Sequence, residues 1–384
     1  MAENRHQPYA LAAMQSLSLE SKIRMSEERI EGWYESWWKF EIYDTATEKT
    51  RFVTFDRRDY MAKPPMKETE CAMFACDGQV YVSFSGGKDS TVLADLCARV
   101  CRAKGWTLYL LFVNTGLEYP EIQAFVKKYA VWLQETYEIE VVLDIVRPEM
   151  RFDEVLTVYG YPVVSKEVSK RVVEYHNAIK KGNLENTLAY KEFNGVRNKN
   201  VGGSFFNKEK WKFLVDAPFG ISPKCCDVMK KKPAKKYEKE TGRKAIIGTL
   251  ASESFARKKS WLQNGCNAFE SVRPTSQPLS FWTEQDILEY IKKYNVPYCS
   301  VYGDIVEENG KLKTTGRDRT GCLFCAFGLS QDGKINRFQR LKETHPRQYE
   351  YCIGGGEMID GKWQPSKEGL GLGKVLDYIG VKYD

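Results

Sequence analysis

The sequence predicts an α/β fold built on a doubly wound, mostly parallel sheet, and three observations carry that prediction. Apolar runs at residues 80–84, 108–113, 140–146 and 243–250 have the length of strands, and helix-period segments at 89–104 and 122–137 separate the first three. The run Leu108-Tyr-Leu-Leu-Phe-Val113 is apolar throughout, as expected for a central parallel strand covered on both faces. A β-α-β-α-β order with short connections closes into a doubly wound sheet because the crossovers are right-handed. Residues 1–75 read as an N-terminal helical extension and connector, 76–300 as the α/β domain, and 301–384 as a C-terminal cysteine-containing region.

The chain begins with a helical pattern in which Leu19, Ile23, Ile30 and Trp33 share one face. The aromatic cluster Trp33, Tyr34, Trp37, Trp38 and Phe40 that follows reads as core packing rather than as a base-stacking platform. Residues 44–76 are polar, with a strand-like Arg51-Phe-Val-Thr-Phe and a turn at Lys63-Pro-Pro.

The strand at residues 80–84 breaks into Ser85-Gly86-Gly87-Lys88-Asp89-Ser90 and then into a helix. Two glycines let backbone N–H groups turn toward an anion, and the helix start adds partial positive charge. Lys88 supplies a full charge, and Ser85 and Ser90 supply hydroxyls. A Walker A loop is excluded, because it requires Gly where Val82 stands and Ser or Thr where Asp89 stands. In the helix after the loop, Cys97 and Cys101 read as packing residues. The second strand ends in Asn114-Thr115-Gly116, and ligands of open α/β sheets bind beyond the carboxyl ends of strands, so this turn is expected beside the loop.

Further on, a helix is expected near 165–181, and the Asn- and Lys-rich stretch 182–212 is expected to leave the core as a polar excursion. Thr283 and Asp286 form a variant capping box that starts another helix. The basic run 230–244 reads equally as a solvated helix face or as a surface for phosphate or nucleic acid.

Eleven cysteines stand in a chain with no visible export signal and no long apolar run, which predicts a soluble, cytoplasmic protein with reduced thiols and no membrane partner. With three histidines, any metal site is expected to be thiolate-rich. Cys225-Cys226 and Cys322-Leu-Phe-Cys325 supply two pairs. A tetrahedral zinc needs sulfurs about 3.8 Å apart, which a C-x-x-C knuckle provides easily and adjacent residues awkwardly. Adjacent cysteines suit a cubane better, and a [4Fe–4S] cluster, zinc and redox-active thiols remain open as readings. A net charge of +7 permits an anionic partner without requiring one.

These segments resemble the PP-loop ATP pyrophosphatase and phosphoadenosine phosphosulfate (PAPS) reductase superfamily. The resemblance rests on Ser85-Gly-Gly-Lys-Asp-Ser90, on Asn114-Thr-Gly-Leu-Glu-Tyr-Pro-Glu121, on Cys225-Cys226 followed by Lys230 to Lys232 and Pro233, and on Pro278-Leu-Ser-Phe-Trp-Thr-Glu-Gln-Asp-Ile. It implies an adenine nucleotide alpha hydrolase-like domain that binds ATP, adenylyl sulfate or PAPS with Mg²⁺. Nucleotide contacts are implied at Ser83, Ser85, Gly86, Gly87, Lys88, Asp89, Ser90, Thr115, Gly116, Glu118, Gly248, Ser252 and Arg257, with Lys88 and Asp89 also catalytic. A [4Fe–4S] cluster on Cys225, Cys226, Cys322 and Cys325 is implied by similarity to adenylyl-sulfate reductases and to the PP-loop subunit of DNA phosphorothioation. Sulfonucleotide reductases attack sulfur with a cysteine in a Glu-Cys-Gly-x-His-like setting, whereas residues 371–384 hold none and Cys352, with His345 nearby, matches loosely. The expected activity is therefore ATP-dependent thiolation of an acceptor such as tRNA or DNA, with a sulfur donor such as a cysteine desulfurase. Sulfonucleotide reduction through Cys352, or a nucleotide- and cluster-binding role within a modification or defence complex, are the alternatives.

Overall fold

The computed structural model describes residues 4–56, 66–75, 79–197, 206–329 and 332–384. The expected turn at Lys63-Pro-Pro lies outside the described residues. The chain forms two compact units: Met1–Asn114, Glu118–Val146 and Ala234–Thr320 make the first, and Thr115–Leu117, Arg147–Pro233 and Gly321–Asp384 the second. Among the described residues, no helix is long and apolar enough to cross a membrane.

The first unit opens with helices α1 (Pro8–Gln15) and α2 (Leu19–Ser36). Ser18 caps α2 by accepting from the Ser21 N–H, and Leu19, Ile23, Ile30 and Trp33 are buried along its length, as their spacing requires. The aromatic cluster straddles the end of the helix, with Trp33 and Tyr34 in its last turns. At Trp37 the chain turns into strand β1 (Trp37–Asp44), which pairs antiparallel with β2 (Lys49–Asp56) and β3 (Glu70–Ala75). Trp33, Tyr34, Trp37 and Phe40 are all buried, in agreement with core packing.

Next come β4 (Val80–Ser83), helix α3 (Lys88–Lys104), β5 (Leu108–Val113), helix α4 (Pro120–Tyr137) and β6 (Val141–Val146). The six-stranded sheet runs in the order β6, β5, β4, Lys244–Ile247, Thr275–Ser276, Asn267–Ala268. Its pairs are parallel except for the edge pair of Asn267–Ala268 with Thr275–Ser276. This is the mostly parallel, doubly wound α/β architecture expected from the sequence. α3 carries Val92, Leu93, Leu96, Cys97, Val100 and Cys101 into the core, and Gly105 ends it in the left-handed conformation.

Helix Glu284–Lys293 starts as predicted: the Thr283 hydroxyl accepts from the Asp286 N–H, and the Asp286 carboxylate accepts from the Thr283 N–H. Asp286 has a second role. Its carboxylate receives both hydrogen bonds of the buried Lys22 ammonium, each at 2.8 Å, which ties α2 to this helix. Trp282 Nε1 donates to Ser26 Oγ at 2.9 Å, and Ser26 Oγ donates in turn to the Pro278 carbonyl.

In the second unit, Ser165 caps helix Lys166–Lys181, and Val163–Val164 pairs in parallel with Ala326–Phe327. The polar stretch 182–212 has a packed base, which its low hydrophobicity does not announce. Helix Leu188–Phe193 buries Glu192 completely, and the Glu192 carboxylate gathers Arg171, Arg197 and Lys208 around it. A carboxylate without water needs such a set of donors.

Removing one partner of a buried ion pair leaves the other charge stranded. Asp286→Ala should lower unfolding free energy by about 3–5 kcal/mol, read from the urea midpoint at constant m-value. A change below about 1 kcal/mol would show that the Lys22 pair does not anchor α2.

Candidate functional site: an anion loop and a thiol cluster

The loop in the first unit is set by packing around two glycines. β4 ends at Ser83, and the buried Phe84 donates its N–H to the Leu111 carbonyl of β5 at 2.9 Å. Gly86 has φ +72°, and a Cβ there would lie 2.9 Å from the Val126 Cγ2 of α4, so conformation and space both demand glycine. Gly87 is the N-cap of α3 and has no side chain to cap the N–H groups of the first turn, of which the Lys88 N–H donates to Tyr302 Oη. Those N–H groups, at a helix of 17 residues, are what an anion would meet.

The serines serve the loop itself. Ser90 Oγ accepts from the Ser85 N–H at 3.2 Å, donates to the Gly87 carbonyl at 2.9 Å and lies 3.1 Å from Ser85 Oγ. They shape the turn rather than point free donors outward.

Lys88 is buried and held on three sides. Its Nζ donates to the Asp318 carbonyl at 2.9 Å and lies 3.1 Å from Glu284 Oε1 and 3.7 Å from Asp89 Oδ1. Burial works against the ammonium, but the Asp89 and Glu284 carboxylates outweigh it and hold Lys88 above its ordinary value. Burial likewise pushes the Asp89 carboxyl up, against the pull of Lys88, with Arg319 and Arg257 also drawing it down. Gly248, at the exit of the Lys244–Ile247 strand, lets that backbone meet the first turn of α3: a Cβ there would lie 3.1 Å from the Asp89 carbonyl oxygen. Ser252 is exposed. Arg257 pairs with Glu253, which also lies 3.7 Å from Arg319. Burial first, then Arg319, pulls the Arg257 guanidinium below its usual value. Glu118, also in the first unit, is buried.

Tyr302, Glu284, Asp318, Arg319 and Thr320 were not foreseen at this loop. Glu284 had a signal, since it opens the helix of the predicted capping box. The other four approach from a distant part of the chain, with Tyr302 lying 214 positions from Lys88.

In the second unit, Thr115 Oγ1 accepts from the Leu117 N–H, and Gly116 has φ +75°. The Leu117 carbonyl accepts from the Leu323 N–H at 2.8 Å, beside the Cys-x-x-Cys knuckle. The Cys325 N–H donates to the Cys322 carbonyl, and Arg337, braced by Asp332, donates to the Cys325 carbonyl at 3.2 Å. Cys225 and Cys226 precede a π-helical turn, Asp227–Lys231, closed by the Lys232 N–H to the Asp227 carbonyl.

The four predicted cysteines belong to one electrostatic group. Cys225 and Cys226 place their sulfurs 4.0 Å apart, Cys225 donating. Its hydrogen bond to Cys226 holds the Cys225 thiol far above its ordinary value, with burial and then Cys226, Cys325 and Cys322 adding to the effect. Cys226 moves the opposite way: the hydrogen bond from Cys225 pulls it well down, aided by Lys166 and Lys230. Burial pushes Cys325 up. Among the described residues, no group of three or more His, Cys, Asp or Glu side chains is already gathered as a metal site. The donor set itself, four thiols with two lysines to offset their charge, matches what a thiolate-bound metal or cluster needs.

Cys352 has no exposure, and burial alone holds its thiol well above the ordinary value. A nucleophile needs the thiolate and a path to substrate, so this placement does not supply one.

The model of the phosphoadenosine phosphosulfate reductase domain matches residues 79–204 and again 198–325. The chain belongs to the PAPS reductase family. At family level this makes it a nucleotide-binding protein of sulfur chemistry. It is 30% identical over 123 residues to an adenosine 5′-phosphosulfate reductase of Oceanobacillus iheyensis, covering 31% of this chain and 45% of that protein. It is 24% identical over 282 residues to an uncharacterized protein of Methanocaldococcus jannaschii, covering 71% of this chain and 46% of that one. The chain thus spans less than half the length of these curated relatives.

Because Cys226 is depressed by its neighbours, its alkylation in metal-free protein should be half-maximal well below pH 8.5, the ordinary thiol value of about 8.5 being the reference. The rate rises with pH as the thiolate forms, and Lys166→Ala should move the inflection upward. An inflection at the ordinary value in both proteins, followed by mass-resolved iodoacetamide labelling, would contradict the assignment.

Proposed function

We propose that this chain binds ATP at the loop of residues 85–90, adenylates an oxygen of an acceptor and replaces that oxygen with sulfur. In the first step the acceptor oxygen attacks the α-phosphorus, the bond to the β-phosphate oxygen breaks, and pyrophosphate leaves. In the second, sulfur at the oxidation level of sulfide attacks the activated carbon, and AMP leaves with the oxygen. The loop N–H groups and Lys88 would take up the charge that develops on pyrophosphate. Lys88 would have to leave Asp318 and Glu284 to reach it.

Asp89 and Glu284 are the carboxylates on hand for Mg²⁺. Asp89 Oδ1 is buried and has no hydrogen-bond partner, which fits a cation ligand. Cys225, Cys226, Cys322 and Cys325 would hold a [4Fe–4S] cluster, whose iron supplies a soft Lewis acid for sulfur.

The observation that favours thiolation over sulfonucleotide reduction is the burial of Cys352, the residue a reductive attack would require. A nucleic-acid acceptor is supported by the helix Lys232–Thr241, whose Lys232, Lys235, Lys236 and Lys239 are exposed on one short element. The reductase reading has one specific support, the name of the Oceanobacillus iheyensis relative. Sulfite production from adenylyl sulfate or PAPS with a thiol reductant would establish that reading instead.

Turnover should release one pyrophosphate and one AMP per sulfur incorporated, and Lys88→Ala should slow it by about 10²-fold or more without changing iron content. Acceptor-dependent turnover without pyrophosphate and AMP contradicts the proposal. Anaerobically purified protein should carry iron that is lost on Cys225→Ser or Cys322→Ser, and zinc-loaded, iron-free protein would overturn the cluster.

A further inference from the structure

The segment after the Ser300–Tyr302 turn crosses the anion loop as a strap. Its arms are strands Ile305–Glu308 and Lys311–Thr314, paired antiparallel, and its base is fastened by Gly316 N–H to the Tyr302 carbonyl at 2.8 Å and Arg317 N–H to the Val301 carbonyl at 3.0 Å. Gly316 is required there, since a Cβ would lie 2.5 Å from the Val301 oxygen. Gln285 clamps the strap to the Glu284–Lys293 helix through two hydrogen bonds with the Leu312 backbone, each at 2.8 Å.

The strap places oxygen atoms where an anion would bind. The Lys88 N–H, at the start of α3, donates to Tyr302 Oη at 3.1 Å. Tyr302 Oη lies 2.7 Å from Thr320 Oγ1, and both oxygens sit over Gly87, 3.3 and 3.2 Å from where its Cβ would be. The Asp318 carbonyl, between them in the strap, holds Lys88 Nζ at 2.9 Å. Two strap oxygens, Tyr302 Oη and the Asp318 carbonyl, therefore engage the backbone donor and the side-chain cation of Lys88, the same groups a phosphate would use, and Thr320 Oγ1 backs the first of them.

We propose that the Tyr302–Thr320 hydroxyl pair is a built-in plug that occupies the anion position of the loop, so that a pyrophosphate-bearing ligand must displace it to bind. The plug keeps the Lys88 N–H satisfied in the absence of ligand, where it would otherwise be costly. It also lowers apparent affinity, because the binding-competent state is only a fraction of the population. Ligands that place oxygens at both the Lys88 N–H and its Nζ open the strap, while a single weak acceptor does not. This inference rests on reading residues 85–90 as an anion cradle.

The test is isothermal titration of inorganic pyrophosphate into the full chain and its Tyr302→Phe and Thr320→Val variants, with far-UV circular dichroism as the folding control. Loss of the Tyr302 hydroxyl removes its hydrogen bonds with the Lys88 N–H and Thr320 Oγ1 in the closed state, so Tyr302→Phe should bind pyrophosphate at least about two- to tenfold more tightly, with Thr320→Val moving the same way. In ligand-free Tyr302→Phe, amide exchange at Lys88 should quicken by a similar factor. Equal affinity overturns the plug alone, and weaker binding by Tyr302→Phe overturns it by making Tyr302 a ligand contact. No pyrophosphate binding to any of the three proteins overturns the plug together with the anion-cradle reading.

Discussion

The structure depends on one close approach, the seating of the first turn of α3 at the carboxyl edge of the sheet. Gly86 lets the turn press against α4, and Gly248 lets the exit of the Lys244–Ile247 strand lie against Asp89. A side chain at either position would push the helix start away from the strands. The donors of that helix start, the charge of Lys88 and the carboxylates of Asp89 and Glu284 then fall within a few ångströms of each other. A buried ammonium must be balanced, and Lys88 is balanced by two carboxylates and a carbonyl.

The thiol cluster of the second unit follows a parallel logic with different groups. Adjacent cysteines at the entrance to a π-helical turn, and a knuckle held by Arg337 and Asp332, put four thiols into one field. Lys166 and Lys230 lower the cost of ionising Cys226. The four thiols are soft ligands, whereas the loop of the first unit carries hard donors.

Much of this was legible in the sequence. Apolar runs gave the parallel strands, and the Thr283–Asp286 capping box fixed a helix start that the structure reproduces atom by atom. The loop and both cysteine pairs were visible because glycines and thiols carry their chemistry in short spacings. Strand Trp37–Asp44 was hidden, since its aromatic residues continue the apolar stripe of α2 and only antiparallel pairing on both sides makes it extended. Thr275–Ser276 is too short to leave a pattern. Glu192 looks like an ordinary surface acid until Arg171 and Lys208 are folded against it. Tyr302 and Thr320 bear no local mark, because their role comes from the strap that carries them back over the loop.

The central claim is that residues 85–90 recognise phosphate rather than a nucleoside. Titrating ATP and adenosine in parallel, with phosphorus resonances monitored for the nucleotide, tests it most directly. ATP should bind at least about 100-fold more tightly than adenosine, with its β- and γ-phosphate resonances perturbed most. Equal affinity for adenosine, with unperturbed phosphate resonances, would contradict it.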